Sequence, residues 1–358
     1  MKTRRVIAWG LGGLGQDGLK MIIQHPDLEL VGAFTHSLEK VGCDAGELAR
    51  LAEKTGVLAS NDPAAMLSLE PDCVAYFANS ANRDDGILAD VLPFLERGTN
   101  VSSISHFDLQ YPRHGRSQYV KPIEDACRRG GSSIYLTGDD PGWAFGHVLF
   151  SLLSVAGRVD RIDVGALAHV RWYSGLESLK MYGFGEPLDF KPPMFTSQVG
   201  ASWHVDTLRG IADFLGVQVD EYKQEWRTAT VDADFDTTAY GVVKAGTTAA
   251  TYWIVSAMVA GKPFIVYHKL LRLHEDAGPD WPKSAKGTGR ENTKILRITG
   301  DPSFETEITR TEGMNLTPVS AVSAIPWVCE APAGILLQRD VPLFPARNLG
   351  VPTPLASD

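Results

Sequence analysis

The sequence is poor in the features that mark several common protein classes. Its four cysteines, Cys43, Cys73, Cys127 and Cys329, are scattered with no C-x-x-C spacing. Neither a disulfide framework nor a thiolate metal site is signalled, and reduced, mostly buried thiols are expected. The nine histidines show no H-x-x-H or H-E-x-x-H spacing and the carboxylates are dispersed, so no catalytic metal is expected. A G-x-S-x-G elbow is also missing, which argues against serine-hydrolase chemistry. Basic residues are in the minority, 34 Lys and Arg against 43 Asp and Glu. Phosphate binding along a duplex needs a basic face, and the clusters Lys2 to Arg5 and Arg128-Arg129 are short, so no nucleic-acid partner is expected. The longest apolar stretch, around Val148 to Ala156, is far below the ~20 residues that a bilayer requires. Strand-like residues begin almost at Met1, leaving no room for a signal peptide, so a cytoplasmic protein with no membrane partner is expected.

What is present is an ordinary globular composition, 44% hydrophobic and 22% charged over 358 residues. At roughly 100 to 200 residues per domain, two domains are expected. Arg5 to Trp9 is a short apolar run ending in Gly10-Leu11-Gly12-Gly13-Leu14-Gly15, after which Leu19, Met21, Ile22 and Ile23 carry a helical face up to Pro26. Leu28 to Phe34 is a second β-rich segment, so the first 34 residues fit one βαβ unit. The alternation continues with helices at Ala45 to Lys54, Ala64 to Leu69, Gly86 to Arg97 and Lys121 to Arg129. Between them lie strands at Cys73 to Phe77, Asn100 to Ile104 and Ser133 to Leu136. This describes an α/β, Rossmann-type, doubly wound parallel sheet over residues 1–143.

The period changes after Gly138. Ala144 to Ala156 reads as a helix, followed by long β-rich pieces: Arg161 to Trp172, Glu221 to Val231, Thr237 to Ala245, Thr247 to Ala257, Phe264 to Leu273, Thr293 to Thr299 and Phe304 to Thr309. They predict a second α+β domain, residues 144–317, on a largely antiparallel sheet, with one long helix at Phe195 to Leu215 and a mobile loop from His274 to Asn292. Residues 318–358, beginning with a helix over Pro318 to Ala331, are expected to return to the first domain.

The G-x-G-x-x-G at Gly10, Gly12 and Gly15 carries the most weight because a strand precedes it and a helix follows. The first glycine permits the tight turn, the second lets backbone approach a pyrophosphate and the third allows close helix packing, so Gly10 to Gly15, with Gly13 and Leu14, is the expected phosphate cradle. An NAD-specific site usually has an acid at the tip of the second strand. Here that tip reads Thr35-His36-Ser37, Glu39 comes two positions late, and Lys40 can reach a 2′-phosphate. NADP is therefore expected, with NAD possible, and His36, Ser37 and Lys40 are the candidate ligands.

Ligands of a doubly wound sheet lie outside the carboxyl ends of its strands. Ala78 and Asn79, ending the fourth strand, are expected along the nicotinamide ribose. Ser103 ends the next strand and is a further cofactor candidate. Beyond it stand His106 and Asp108; a carboxylate there stabilises a cationic intermediate or takes a proton, and His106 is its rival. Asp139 and Asp140, before Pro141 and a helix, read by default as caps. Among many aromatics, Trp143, Phe145, Tyr173 and Phe184, with His106, are the candidates for an apolar substrate pocket.

Several segments together resemble the dihydrodipicolinate reductase-like oxidoreductases. They are Val6 to Gly15, His36 to Gly42 followed by Asp44 to Leu48, Gly138 to Trp143, and Ala324 to Cys329 with Ala331 to Gly334. The likeness is strongest to the native amine dehydrogenases related to 2,4-diaminopentanoate dehydrogenase. The chain lacks the basic H-H-R-H-K stretch and the K-x-x-P-S-G-T loop of true dihydrodipicolinate reductases; His169-Val170-Arg171-Trp172-Tyr173 occupies the comparable region. In the amine dehydrogenases an acid, usually Glu, stands shortly before a Tyr-Pro pair. Here Asp108 precedes Tyr111-Pro112 and is the matching, shorter carboxylate. The resemblance implies reductive amination of a small carbonyl compound with ammonia or a small amine, hydride passing from NADPH to the iminium carbon, in a homodimer. With no basic anchor evident, the carbonyl compound is expected to lack a carboxylate. Two other readings stay open: a carbonyl or alcohol oxidoreductase using His106 or His169 as proton donor, and a nucleotide-sensing, non-catalytic homologue.

Overall fold

Short strands that are apolar on both faces can be buried only between two layers of helices, and the N-terminal strands have that character. In the computed structural model, which describes residues 2–80, 83–173, 175–283, 292–310 and 313–349, the elements follow in order. They are β1 (Arg4–Trp9), α1 (Gly13–Gln24), β2 (Leu28–Phe34), α2 (Ala45–Leu48), β3 (Ala59–Ser60), α3 (Pro63–Ser68), β4 (Cys73–Tyr76), α4 (Asp84–Glu96), β5 (Asn100–Ser103), α5 (Ser117–Gly130) and β6 (Ser133–Leu136). After a second unit come α10 (Leu316–Val328) and β15 (Gly334–Leu336). These strands form one seven-stranded sheet, β15-β6-β5-β4-β1-β2-β3, in which every pairing is parallel.

The strand period of two distributes its side chains. Ile7 and Trp9 of β1 join Val74, Tyr76, Val101 and Ile134 under α4 and α5, where Val91, Phe94, Val120 and Ile123 cover them. Val6 and Ala8 face the other way, with Cys73 and Ala75, against Leu19 and Ile22 of α1 and Ala321, Val322 and Ile325 of α10. Polar groups fasten α10 to this sheet: Ser102 Oγ donates to Ala321 O at 2.7 Å and Ser133 Oγ to Val328 O at 2.6 Å.

The chain divides into one compact unit of residues 1–143 with 314–358 and another of Ala144–Gly313. The second boundary lies a few residues before the expected 317, because Asn315 already belongs to the first unit. Its backbone N–H donates to Asp17 of α1 at 2.9 Å, and its side chain caps α10 through Thr317 N.

The second unit contains α6 (Leu149–Leu153), β7 (Arg158–His169), α7 (Leu176–Met181), α8 (Pro193–Thr196), α9 (Gln198–Leu215) and β8 (Glu221–Ala229). It continues with β9 (Phe235–Thr237), β10 (Gly241–Val243), β11 (Ala250–Val259), β12 (Lys262–Arg272), β13 (Asn292–Asp301) and β14 (Phe304–Arg310). Its six-stranded sheet runs β14-β13-β7-β12-β11-β8, with antiparallel neighbours except for the parallel pair β7 and β12.

Several elements depart from expectation for local reasons. The helix read over Ala45 to Lys54 stops at Leu48 because Asp44 binds Gly46 N at one end and Thr55 N and Gly56 N at the other, folding the chain back. Thr237 to Ala245 is a tight hairpin of β9 and β10, turned at Gly241 with φ +66°. Phe195 to Leu215 breaks into α8 and α9 around Ser197, whose backbone is extended. Of the expected loop from His274 to Asn292, residues 284–291 lie outside the described residues. The preceding stretch is gathered around Arg272, whose guanidinium donates to the carbonyls of Ala277, Gly278, Trp281 and Pro282. Among the described residues no helix is long and apolar enough to cross a membrane, and no cluster of His, Cys, Asp or Glu is arranged to hold a metal.

Candidate functional site

The glycines of the turn after β1 fall into two kinds, those pressed against backbone and those facing open space. Gly10 has φ +92°, and a Cβ there would lie 2.4 Å from Ala78 N, so β1 and the end of β4 close together without side chains. A Cβ on Gly15 would fall 1.8 Å from Gly10 O, so the first turn of α1 packs directly on the strand end. Gly12 and Gly13 differ, because a Cβ on either meets nothing within 4 Å. Gly12 caps α1 without a side-chain acceptor, which leaves the first-turn N–H groups of the helix facing this open cradle. That geometry fits a pyrophosphate held by helix N–H groups and the positive end of the helix dipole.

The tip of β2 gathers polar groups beside the cradle. Lys40 Nζ donates to Leu11 O at 2.7 Å, tying the tip to the glycine turn. Ser37 Oγ donates to Glu39 at 3.0 Å, so the acid that stands two positions late in sequence does reach the tip. Arg83, at the start of α4, was not singled out in the sequence. Its Nη2 lies 2.9 Å from His36 Nε2 and 3.3 Å from Asp90 Oδ2. Asp90 in turn accepts from Tyr76 Oη at 2.7 Å and Trp9 Nε1 at 3.2 Å. Partial burial and then the neighbouring guanidinium push the His36 pKa down. The ring is therefore neutral, accepts at Nε2 and keeps Nδ1–H as a donor.

The loop after β5 separates the two candidates that the sequence placed together. His106 is 3% exposed; Ser103 Oγ donates to its Nδ1 at 2.6 Å and its Nε2–H donates to Ile87 O at 3.1 Å. Burial pushes its pKa down to about 4. Contrary to expectation, His106 is a satisfied neutral core histidine, packed edge-on to Tyr76, with no nitrogen left for a substrate. Ser103 is corrected for the same reason: its hydroxyl is spent on His106 and on Ser105 N, and its carbonyl accepts from Thr137 N. Ala78 wedges against Gly10, and Ser105 Oγ holds its carbonyl at 2.5 Å; Asn79 is exposed beside it.

Asp108 faces a different partner. Its Oδ1 accepts Arg116 N at 2.8 Å and Arg116 Nε at 3.0 Å, and its Oδ2 accepts Arg116 Nη2 at 2.8 Å. The remaining nitrogen, Nη1, donates to Asp84 at 2.8 Å, and the guanidinium lies 4.3 Å over the Tyr119 ring. Tyr119 Oη donates to Asp85. Hydrogen bonds donated to Asp108 and then to Asp84 raise the Arg116 pKa, so this cation is permanent. One guanidinium thus holds two carboxylates, leaving the group net negative.

Of the proposed pocket aromatics, Phe145 and Phe184 are corrected. Phe145 is buried edge-to-face against Tyr267, and Phe184 lies in a core with Leu179, Phe235 and Leu271. Neither presents free surface. Tyr173 and its neighbour Trp172 are 43% and 52% exposed at the end of β7, and Trp143 is half-buried at the close of the first unit. Asp139 is buried beneath the turn in which Trp143 N donates to Gly138 O at 2.9 Å.

No protein-family model matches the chain. Over 350 residues it is 32% identical to an amine dehydrogenase of Streptomyces virginiae, an alignment covering 95% of this chain and 96% of that one. It is 38% identical over 170 residues to a 4-hydroxy-tetrahydrodipicolinate reductase of Nostoc punctiforme, covering 46% of this chain and 57% of the other. The structure of an amine dehydrogenase from Mycobacterium smegmatis superposes with a TM-score of 0.80 at 20% identity, covering 96% of this chain and 98% of that one.

Proposed function

The chain belongs to the amine dehydrogenases, oxidoreductases that act on CH–NH2 groups with a nicotinamide nucleotide, and from that premise we propose NADPH-dependent reductive amination of a small apolar ketone or aldehyde. In the direction of amine formation, carbonyl compound, ammonium and NADPH give amine, NADP+ and water. The bound nicotinamide supplies the hydride; the residues of the chain position the cofactor and make the carbon cationic enough to accept it. The open cradle at Gly12 and Gly13 supports pyrophosphate binding, with Gly10 and Gly15 closing the turn behind it. At the tip of β2, Lys40 and Arg83 present N–H donors beside Glu39, with Asp90 behind Arg83, and His36 adds an Nδ1–H donor. Those donors support a 2′-phosphate over a bare ribose hydroxyl.

The observation that carries the substrate side is Asp108 beyond the end of β5, in a group whose net charge is negative. An anion near the reacting carbon favours an iminium cation over a neutral carbonyl and accepts a proton as ammonia adds. Carbonyl reduction with His106 as donor loses its donor, because both ring nitrogens are engaged.

The reading is tested by following NADPH consumption with a panel of small aldehydes and ketones, with and without concentrated ammonium or methylamine. Turnover is expected only when the amine is present. Turnover in its absence would instead make the protein a carbonyl reductase, and none under either condition would favour a nucleotide sensor.

The cofactor assignment has its own test. Lys40→Ala and Arg83→Ala are each expected to raise the NADPH Kd by roughly tenfold or more, the size of one charge-assisted hydrogen bond, and to leave NADH nearly unchanged. Equal losses for both nucleotides on removing Lys40 would reduce it to a buttress of the glycine turn through Leu11.

A further inference from the structure

Resting on the assignment of Asp108 above, we infer that Arg116 is a positioning residue for the amination, presenting Oδ2 of Asp108 to the reacting nitrogen. The two oxygens are not equivalent. Oδ1 accepts two hydrogen bonds, from the backbone N–H and the Nε of Arg116, and its lone pairs are filled. Oδ2 accepts one, from Nη2, and retains a lone pair for an ammonium or iminium N–H. Asp108 therefore has a reactive edge, and Arg116 chooses it.

A simpler role for the pair is to clamp the loop between them, eight residues apart in sequence. Closure, however, is already provided. The Arg116 N–H bond to Oδ1 closes the loop, and Gly115 is pressed so close that a Cβ would lie 2.2 Å from Asp108 O. What the guanidinium adds is a fixed carboxylate plane. Its fork removes rotation about the Asp108 side chain, Asp84 holds its far side from the first turn of α4, and Tyr119 lies against its face. Three side chains from the segments following β4 and β5 thus hold one carboxylate oxygen in place, the degree of fixation that proximity effects demand. Lys at this position cannot reproduce it, because an ammonium has no planar fork.

In the full-length enzyme, Arg116→Ala is expected to lower kcat for amination by ~10²-fold, the cost of a misplaced reacting group, with the NADPH Kd unchanged. Ethylguanidinium added to that variant is expected to restore part of the rate, and Arg116→Lys to remain as slow as Arg116→Ala. Asp84→Asn, which leaves the fork intact, provides a milder variant. It is expected to raise the KM for ammonium several-fold by removing one negative charge, without changing thermal stability by more than a degree or two. Retained kcat in Arg116→Ala would overturn the inference. So would a loss that ethylguanidinium does not relieve and that tracks a fall in Tm or in cofactor affinity, since either identifies a loop clamp. Asp108→Asn separates the two levels: a fully active Asp108→Asn enzyme defeats the assignment of Asp108 itself, whereas an inactive one beside an active Arg116→Ala defeats only the role of Arg116.

Discussion

Asp108→Asn is expected to slow amination by ~10²–10⁴-fold, the range for a group that handles a proton and a charge in the transition state, with NADPH affinity nearly unchanged. The substitution keeps the shape of the side chain and keeps Oδ1, so the acceptor for Arg116 N and Nε survives. It replaces Oδ2 by an NH2 group. That change removes the anion which favours an iminium and sets a donor against Arg116 Nη2, 2.8 Å away in the native arrangement. The hydrogen bonds and ion pair of Asp108 go to Arg116 and not to the glycine cradle or the β2 tip, which is why cofactor binding serves as the internal control. Equilibrium titration with NADPH, followed by single-turnover reduction in saturating ammonium, reads the two quantities separately. A variant that aminates at the native rate but melts earlier would show that the Asp108–Arg116 fork serves the loop alone, and the proton acceptor would then have to be sought elsewhere.

The second large effect concerns stability. Arg272 is 2% exposed, and four backbone carbonyls accept its donors while no carboxylate pairs with it among the described residues. Burial alone lowers its pKa, because desolvation disfavours the cation. Removing the guanidinium relieves that cost but leaves the carbonyls of buried Ala277 and Gly278 with no donor, each worth ~1–3 kcal/mol, and takes a partner from those of part-buried Trp281 and exposed Pro282. Arg272→Met is therefore expected to destabilise the second unit by roughly 3–5 kcal/mol, as for breaking a buried charged network from one side. For a unit of its size that corresponds to a Tm lower by on the order of 10 °C. Differential scanning calorimetry of the whole protein reads this directly. A change of less than a degree would mean that water replaces the guanidinium at those carbonyls. Arg272→Lys is expected to fall between the two, because an ammonium offers three donors instead of five.

The sequence made the cofactor turn readable because Gly10 and Gly15 answer local steric demands between a strand and a helix while Gly12 and Gly13 leave the cradle open, all within adjacent residues. The alternating strands and helices of the first unit were legible for the same reason, and the family through segments spread along the chain. What resisted reading depended on partners distant in sequence. Ser103 and His106 stand at a strand end, where a polar residue points either to ligand or to core. Only the carbonyl of Ile87 and the ring of Tyr76 decide that His106 turns inward. Arg83 gave no signal because its partner His36 lies 47 residues away. Arg116 was not singled out either, because only the folded loop brings it back to Asp108. Glu39 was set aside by its position, yet a single turn of tight helix returns its carboxylate to Ser37. The shortness of β9, β10 and β15 has a similar origin: three-residue strands are made by their pairing partners and carry almost no pattern of their own.

The first unit is closed by the last part of the chain, and this sets an order of events during synthesis. Ser133 meets Val328 across 195 residues, and β6 pairs with β15 on its outer side. While a ribosome is still making the second unit, β6 is an open edge and the sheet lacks α10 over one face. At ~5–20 residues per second that exposure lasts about 10–40 s. The inserted unit, whose contacts are complete by Gly313, is free to fold within that interval, before the cofactor unit whose chain began first. The nascent protein therefore presents the face of β4, β5 and β6 that α10 covers, with Ala75 on it, to the cell longest, and that face is where a chaperone would find it.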